Sequence, residues 1–431
     1  MMRKPFQQLR PDERLRLTLV AVGTFYVIFT AWFLFNGGLF IPVGGDFLAF
    51  FASARIAATS GFSQVYDLSV QEAVQRDLTA PYNLSNLEIL PTFFLPAFTA
   101  PFCLFLPLGL LGGFIIWTLL NLGVLIGYLA WFLGCVQERA GGGLTGQIPY
   151  IAFGTVRHSL LILTLLSFPV FLNFFFGQVN VWLLICIGEF LRAWEQGKPF
   201  RSGLWLGGLL LKPQTLILIL PFLVLSGEWN AVLGFAVASA AIVGTSLGLA
   251  GLEGLKAWLI QLIRYTSNLP TINPQVMANI RMIGELLSVL LSSEALQKVA
   301  GGLSLGVALL VLLLGLRLKK RAPEEISRIW LPLLATTSII AWHSHIHMSM
   351  ILVPPLLWQV IGGRMSQRFL ALWAMLPVFS FLLGGIGNLL LSACGKLSLP
   401  IPLLSFSALS LLVLNFYIVI KSLGCPNPQG N

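Results

Sequence analysis

Apolar runs of about 20 residues with at most one or two charges recur through this chain, and no other feature limits its fold so tightly. The first, Leu15–Phe35, carries one charge, Arg16, and is long enough to cross a bilayer as a helix. An ordinary soluble domain has about 25% charged residues, whereas this chain of 431 residues has 10%, is 57% hydrophobic and has a mean hydropathy of +0.87. Water could not solvate such a surface. An all-α polytopic membrane protein is expected.

The net charge of +10 does not point to nucleic acid. Basic residues sit in short clusters at the ends of apolar runs, as cytoplasmic anchors do: Arg3, Lys4, Arg10, Arg14 and Arg16 before the first run, and Arg317, Lys319, Lys320 and Arg321 later. The five cysteines (Cys103, Cys135, Cys186, Cys394, Cys425) have neither metal-site spacing nor the even count of a disulfide framework. No small-residue cleavage site follows the first run, so it reads as a retained signal anchor.

With a cytoplasmic N-terminus, residues Asn36 to Leu90 form an outer loop. Phe47, Phe50, Phe51, Ala54 and Ala58 recur in it at helical spacing, and Leu68 to Leu78 forms a second short helix with Glu72, Arg76 and Asp77 on its polar side. Both are expected to lie along the membrane surface. Pro91, Pro96, Pro101 and Pro107 break the second span. Further spans are expected at Leu108–Leu133, Pro149–Leu172, Gly177–Leu191, Gly203–Leu225 (interrupted by Lys212-Pro213) and Ala231–Ala250. A second amphipathic loop, Gly251 to Glu285, precedes spans near Ala300–Leu316, Ile329–Ala341, Met348–Ile361, Phe369–Leu390 and Pro400–Ile420. Alternation gives about 12 spans in a single domain, residues 1–431, with both ends cytoplasmic and the outer loops 36–90 and 251–285 contributing the site. The segment Arg192 to Arg201 resists it, because three basic residues fall outside. Either they meet lipid phosphates, or the Lys212-Pro213 break forms a re-entrant pair. No duplication of one half in the other is visible, which weakens an inverted-repeat transporter.

Polar residues in so apolar a chain need a partner or a task. Asp46, in Gly44-Gly45-Asp46-Phe47, is one of four aspartates, and none follows Asp77. It suits a helix N-cap and equally a general base, if a hydroxyl comes within hydrogen-bond reach. Lys212, in Leu211-Lys-Pro-Gln214, is a lone cation deep in an apolar run, where it either snorkels to the interface or meets a lipid phosphate. Gln178 and Asn180 place two amides near a helix end, for hydroxyl recognition or helix–helix bonding. Asn279 and Arg281 lie in the second loop, where the planar fork of Arg281 either clamps a phosphate or merely faces water. His343, His345 and His347 alternate in Trp342–Met348. With no carboxylates beside them a metal is not expected, and hydrogen bonding to phosphate or sugar, or simple interfacial placement, is preferred. No cofactor is expected. Asp-x-Asp and a Walker-type glycine loop are missing, so an activated substrate would be lipid-linked rather than nucleotide-linked.

The order of these motifs resembles glycosyltransferase family 87, the polyprenol-phosphate-mannose-dependent α-1,2-mannosyltransferases of the GT-C fold. The resemblance is carried by a first-loop Asp46, the Pro-broken Leu90–Pro96, Gly177-Gln-Val-Asn180, Leu211-Lys-Pro-Gln214, Met277-Ala-Asn-Ile-Arg281 and His345-Ile-His347 ahead of Leu352-Val-Pro-Pro355. Met282 stands where the family often has Gly, and Ser349-Met350 where it often has Tyr-Asp. The resemblance implies a GT-C-type fold in the cell membrane and inverting transfer of a hexose from a polyprenyl-phosphate donor to a lipid or glycan acceptor on the outer face. It implies Asp46 as base, with Lys212, Arg281 and His345 or His347 near the donor phosphate. A polyprenyl phosphate leaves without a protonating acid, so one carboxylate suffices where glycosidases need two. The competing readings are a secondary transporter or lipid flippase, and a family member without catalysis.

Overall fold

The computed structural model describes residues 11–36, 38–41, 43–82, 84, 89–144, 150–268, 274–321, 327–393 and 401–424. Arg3, Lys4, Arg10, Cys394, Pro400 and Cys425 lie outside them. Among the described residues the chain is helical, with two isolated β-bridges and no strand. It begins with α1 (Pro11–Phe35), α2 (Gly45–Ser60) and α3 (Leu68–Thr79), then α4 (Pro96–Thr99), which runs through a 3₁₀ stretch into α5 (Gly109–Leu144). Next come α6 (Tyr150–Leu165), α7 (Phe168–Phe176), α8 (Asn180–Glu195), α9 (Pro199–Gly207), α10 (Ile219–Leu225) and α11 (Trp229–Asn268). The chain continues with α12 (Ile280–Leu291), α13 (Ala295–Arg321), α14 (Ser327–Ile340), α15 (Val353–Ile361), α16 (Gln367–Ala393) and α17 (Leu403–Gly424).

Six helical stretches are long and apolar enough to cross a membrane: in α1, α4–α5, α11, α13, α16 and α17. The pair α6 and α7, bent by 47°, makes a seventh if it counts as one span. This is a multi-pass membrane protein. The expected count of about 12 differs because several apolar runs do not form full spans. They fold instead as three short helical hairpins. In the first, α7 and α8 meet at Gly177, whose φ of 73° closes α7 with its N–H bonded to the carbonyls of Asn173 and Phe174. In the second, α9 and a 3₁₀ turn rise to Lys212, and residues Pro213–Leu225 return. Lys212 is extended there (φ −139°, ψ 82°), as a residue before proline must be. In the third, α14 rises to Ala341 and residues Ile346–Ile361 return. The 14 residues of α14 and the 16 of α8 reach about 21–24 Å, short of the ~30 Å hydrocarbon core.

The hairpins settle the segment Arg192 to Arg201. α8 starts at the site described below and ends where Glu195 pairs with Arg139 at 3.8 Å, near the far end of α5. The opposite end of α5 packs on α2, with Phe47 and Phe51 against Gly113. The Arg192–Arg201 turn therefore lies at the end of the molecule away from α2, the end at which α1 begins. The break at Lys212-Pro213 falls between two short helical stretches, which fits the reading of a re-entrant pair there.

Two further expectations are corrected. The helix starting near Phe47 is not a surface helix: Phe47 through Ala54 are all buried, because the helix is wedged among α5, Ala100–Leu108 and Phe62–Tyr66. Aromatic rings pack its first turns, with Phe47 5.7 Å from Phe114 and Phe50 4.9 Å from both Phe94 and Phe102. The second loop is largely helix. α11 continues past a kink at Gly251 (φ 65°) to Asn268, and α12 follows from Ile280. α3 forms as expected, capped by Asp67.

Candidate active site

The hairpin turns and the start of α2 converge on one cavity of about 300 Å³, at the small end of ligand sites. Its polar lining is Asp46, Gln178, Lys212, Gln214, His343, His345 and His347. These residues span some 300 positions of sequence, and the fold collects them. Close backbone approach makes this possible. Gly44 (φ 74°) donates its N–H to Phe175 O at 2.7 Å, and a Cβ at Gly177 would meet Phe47 Cβ at 2.7 Å. Trp117 Nε1 donates to Gly177 O at 3.0 Å and fixes the turn from the α5 side.

Asp46 is not a helix cap. Gly44 holds the cap position of α2 without a side-chain bond, and Asp46 follows in the first turn. The positive end of the helix dipole there favours a carboxylate. Its side chain is walled by protein, and its remaining exposure is to the cavity. Burial raises its pKa above the ordinary carboxylate range, while a hydrogen bond from Gln178 and the charge of Lys212 act in the opposite direction.

Lys212, 5% exposed, donates from Nζ to Gln178 Oε1 at 2.8 Å and Asn180 Oδ1 at 3.0 Å. An ammonium has three donors, and the third faces the cavity that Lys212 lines. With Gln178 Oε1 engaged by Lys212, its NH₂ is the end left for Asp46. One amide thus joins a proton acceptor to a cation that can hold an anion, in place of a direct ion pair.

The three histidines form the facing wall. His345 and His347 stack with centroids 5.6 Å apart, Phe176 meets His347 edge-on at 6.0 Å, and Gln214 Nε2 reaches His343 O at 3.5 Å. The segment is pinned by an antiparallel bridge between Met277 and His345 and by Ala278 N to Ser344 O at 2.8 Å. Burial, then the neighbouring His343, Lys212 and Arg281, pulls the pKa of His345 down to about 3. Its imidazole is neutral at physiological pH, so it offers one donor and one acceptor. Among the described residues no group of three His, Cys, Asp or Glu side chains is arranged to hold a metal ion.

Three expected site residues stand outside this lining. Asn180 acts from behind, holding Lys212. Asn279 caps α12, accepting from Met282 N at 3.1 Å and donating to Ala341 O at 2.7 Å. Arg281 lies 3.9 Å from the Trp342 ring centroid and donates to Trp342 O at 3.4 Å. Both brace the histidine segment rather than line the cavity. The apolar lining was not foreseen: Leu90, Pro91, Phe93 and Phe94 form one wall, with Ile41, Phe50, Phe176 and Val276 beside it. The aromatic run between Pro91 and Pro96, too short for a span, is the signal that marks it.

The family model described as glycosyltransferase family 87 matches residues 93–341. The chain belongs to glycosyltransferase family 87. No curated protein and no solved structure matches it. As a member of family 87 it is a membrane glycosyltransferase. The matched region holds Gln178, Asn180, Lys212, Gln214, Asn279 and Arg281, and it ends just before His343. Asp46 and the three histidines lie beyond it, and their link to the family 87 residues is the shared cavity.

Proposed function

We propose that the protein transfers a hexose, mannose by family resemblance, from a polyprenyl phosphate to an acceptor hydroxyl on a lipid or glycan. The site faces the outer side of the cell membrane, on a GT-C-type scaffold. The observation that carries this reading is the one cavity that Asp46, Gln178 and Lys212 line together, with Lys212 bonded to Gln178. The donor phosphate lies against the free donor of Lys212, with neutral His345 or His347 hydrogen bonding to phosphate or sugar. The acceptor hydroxyl approaches Asp46, which takes its proton as the oxygen attacks the anomeric carbon. The bond from that carbon to the phosphate oxygen breaks, and the phosphate leaves with the electron pair, stabilised by Lys212. A single displacement inverts the anomeric centre, and one carboxylate is enough.

The buried charges fit this chemistry. Raising the pKa of Asp46 strengthens it as a base. Gln178 keeps the two charges apart, leaving Lys212 to the leaving group instead of to the base. The test is direct. Purified protein is given polyprenyl-phosphate hexoses or nucleotide hexoses with a mixed lipid and glycan acceptor pool, and products are read by mass spectrometry. Hexosylated acceptor with matching release of polyprenyl phosphate is expected. Transfer from the nucleotide sugar alone, or from neither donor, overturns the proposal.

A further inference from the structure

The apolar wall of the cavity is an extended strap, Leu90–Phe94, with no helix or strand partner. Buried backbone without a ladder must find its hydrogen bonds elsewhere. Two glutamines on one face of α3, four residues apart, supply them. Gln75 closes a two-way pair on Leu90, donating to its O at 2.9 Å and accepting from its N at 3.0 Å. Gln71 accepts from Thr92 N at 3.0 Å while donating to Val65 O at 2.7 Å. Tyr66 completes the series, donating to Phe94 O at 2.6 Å. Positions 90, 92 and 94 thus face α3 and the Phe62–Tyr66 turn with the period of two of extended chain. Phe93 O points the other way, to Trp258 Nε1 at 2.9 Å. The Thr92 hydroxyl is pinned to Ser53 Oγ at 2.5 Å. Gln71, Gln75 and Thr92 are each 1% exposed.

We infer that Gln71 and Gln75 are positioning residues of the transferase: they act as a substitute strand that fixes the wall against which the donor's isoprenoid packs. The inference rests on the proposed function and deepens it. The cavity has two halves, a polar one built on Asp46, Lys212 and the histidines, and an apolar one built on the strap. The donor carries its apolar chain directly on its phosphate, so a phosphate at Lys212 brings the first isoprenoid units onto that wall. Neither glutamine lines the cavity. Their effect passes through Leu90, Pro91, Phe93 and Phe94.

The test uses Gln75→Met and the double variant Gln71→Met/Gln75→Met, which keep side-chain volume but remove the bonds. Two readouts are taken on the full protein. Hydrogen exchange at Leu90 and Thr92 is expected to be protected in the wild type and about tenfold faster in the double variant, the size of one lost hydrogen bond. KM for the polyprenyl-phosphate donor is expected to rise about tenfold with kcat within about twofold. The inference is overturned if wild-type amides at 90 and 92 exchange as fast as exposed loop amides. It is overturned equally if kcat falls with KM unchanged, or if the thermal transition of Gln75→Met collapses along with activity. Should the wild type transfer from no polyprenyl-phosphate sugar, the proposed function fails. Exchange at the strap, with and without added polyprenyl phosphate, then decides the positioning claim by itself, and an unprotected strap or no change on adding the lipid rejects it.

Discussion

Asp46→Asn separates catalysis from folding more sharply than any other single change. The Asn side chain matches the carboxylate in shape, and its Oδ1 can still accept from the Gln178 amide that now serves Asp46. It cannot take a proton. A positioned general base is worth about 10²–10⁴ in rate, or about 2.7–5.4 kcal/mol of barrier, and that loss is expected in kcat. Stability should move the other way. Burial raises the folded-state pKa of Asp46, so ionising it at neutral pH costs folding free energy, a cost relieved as pH falls through the raised pKa. Asn removes that cost, so the thermal midpoint at neutral pH is expected to hold or rise. The assay pairs turnover of a polyprenyl-phosphate hexose with a thermal melt of the same preparation. Wild-type turnover in Asp46→Asn refutes the base assignment. Lost turnover with a midpoint lowered by several degrees shows that the carboxylate holds the fold instead.

Lys212→Met should lower kcat about 10²–10³-fold, the loss of one preorganised charge at a leaving oxygen. It should also move the acidic limb of the rate profile to higher pH, because the Lys212 charge holds down the pKa of Asp46; a limb that stays put separates the two groups. Gly177→Ala places a side chain at φ 73° against Phe47 Cβ and is expected to lose both thermal stability and turnover, with near wild-type values in both refuting the close packing. Asn279→Ala removes the α12 cap at a cost of about 1 kcal/mol, visible in the melt, and leaves kcat within severalfold.

The membrane class was legible because composition alone decides which solvent the surface can meet. The polar cluster was legible for a related reason: Asp46, Gln178, Lys212, Gln214 and His343–His347 are conspicuous against apolar neighbours, and lipid tolerates such groups only where the fold gathers them. The hairpins were hidden. An apolar run of 13 to 16 residues has the composition of a span, and only the chain's return at Lys212-Pro213 or Trp342–Ser344 shows that it stops short. The conflict over Arg192–Arg201 was the one sign of it in charge. The strap was hidden for another reason, since its hydrogen bonds come from glutamine side chains on α3, and no backbone pattern announces them. Asn279 and Arg281 had the right chemistry for a phosphate, but the structure uses their polar groups to brace the histidine segment.

Three Asx residues near helix starts show why Asp46 is available for chemistry. Asp67 caps α3: its Oδ1 accepts from Ser69 N at 2.8 Å, Ser69 Oγ at 2.6 Å and Val70 N at 3.3 Å. Those bonds hold its pKa below the usual carboxylate range and occupy the oxygen a substrate would need. Asn279 is likewise occupied at α12. At α2 the pattern Gly44-Gly45-Asp46 suggests the same use, and the fold declines it. Gly44 takes the cap position in a left-handed conformation that lets its N–H bond to Phe175 O, which moves Asp46 to the second residue of the helix. There it bonds to no backbone N–H of its own helix. Its carboxylate instead faces Gln178 and the cavity, with a pKa raised by burial. A cap spends a carboxylate on the backbone, whereas the shift past Gly44 leaves this one beside the cavity and open to a hydroxyl.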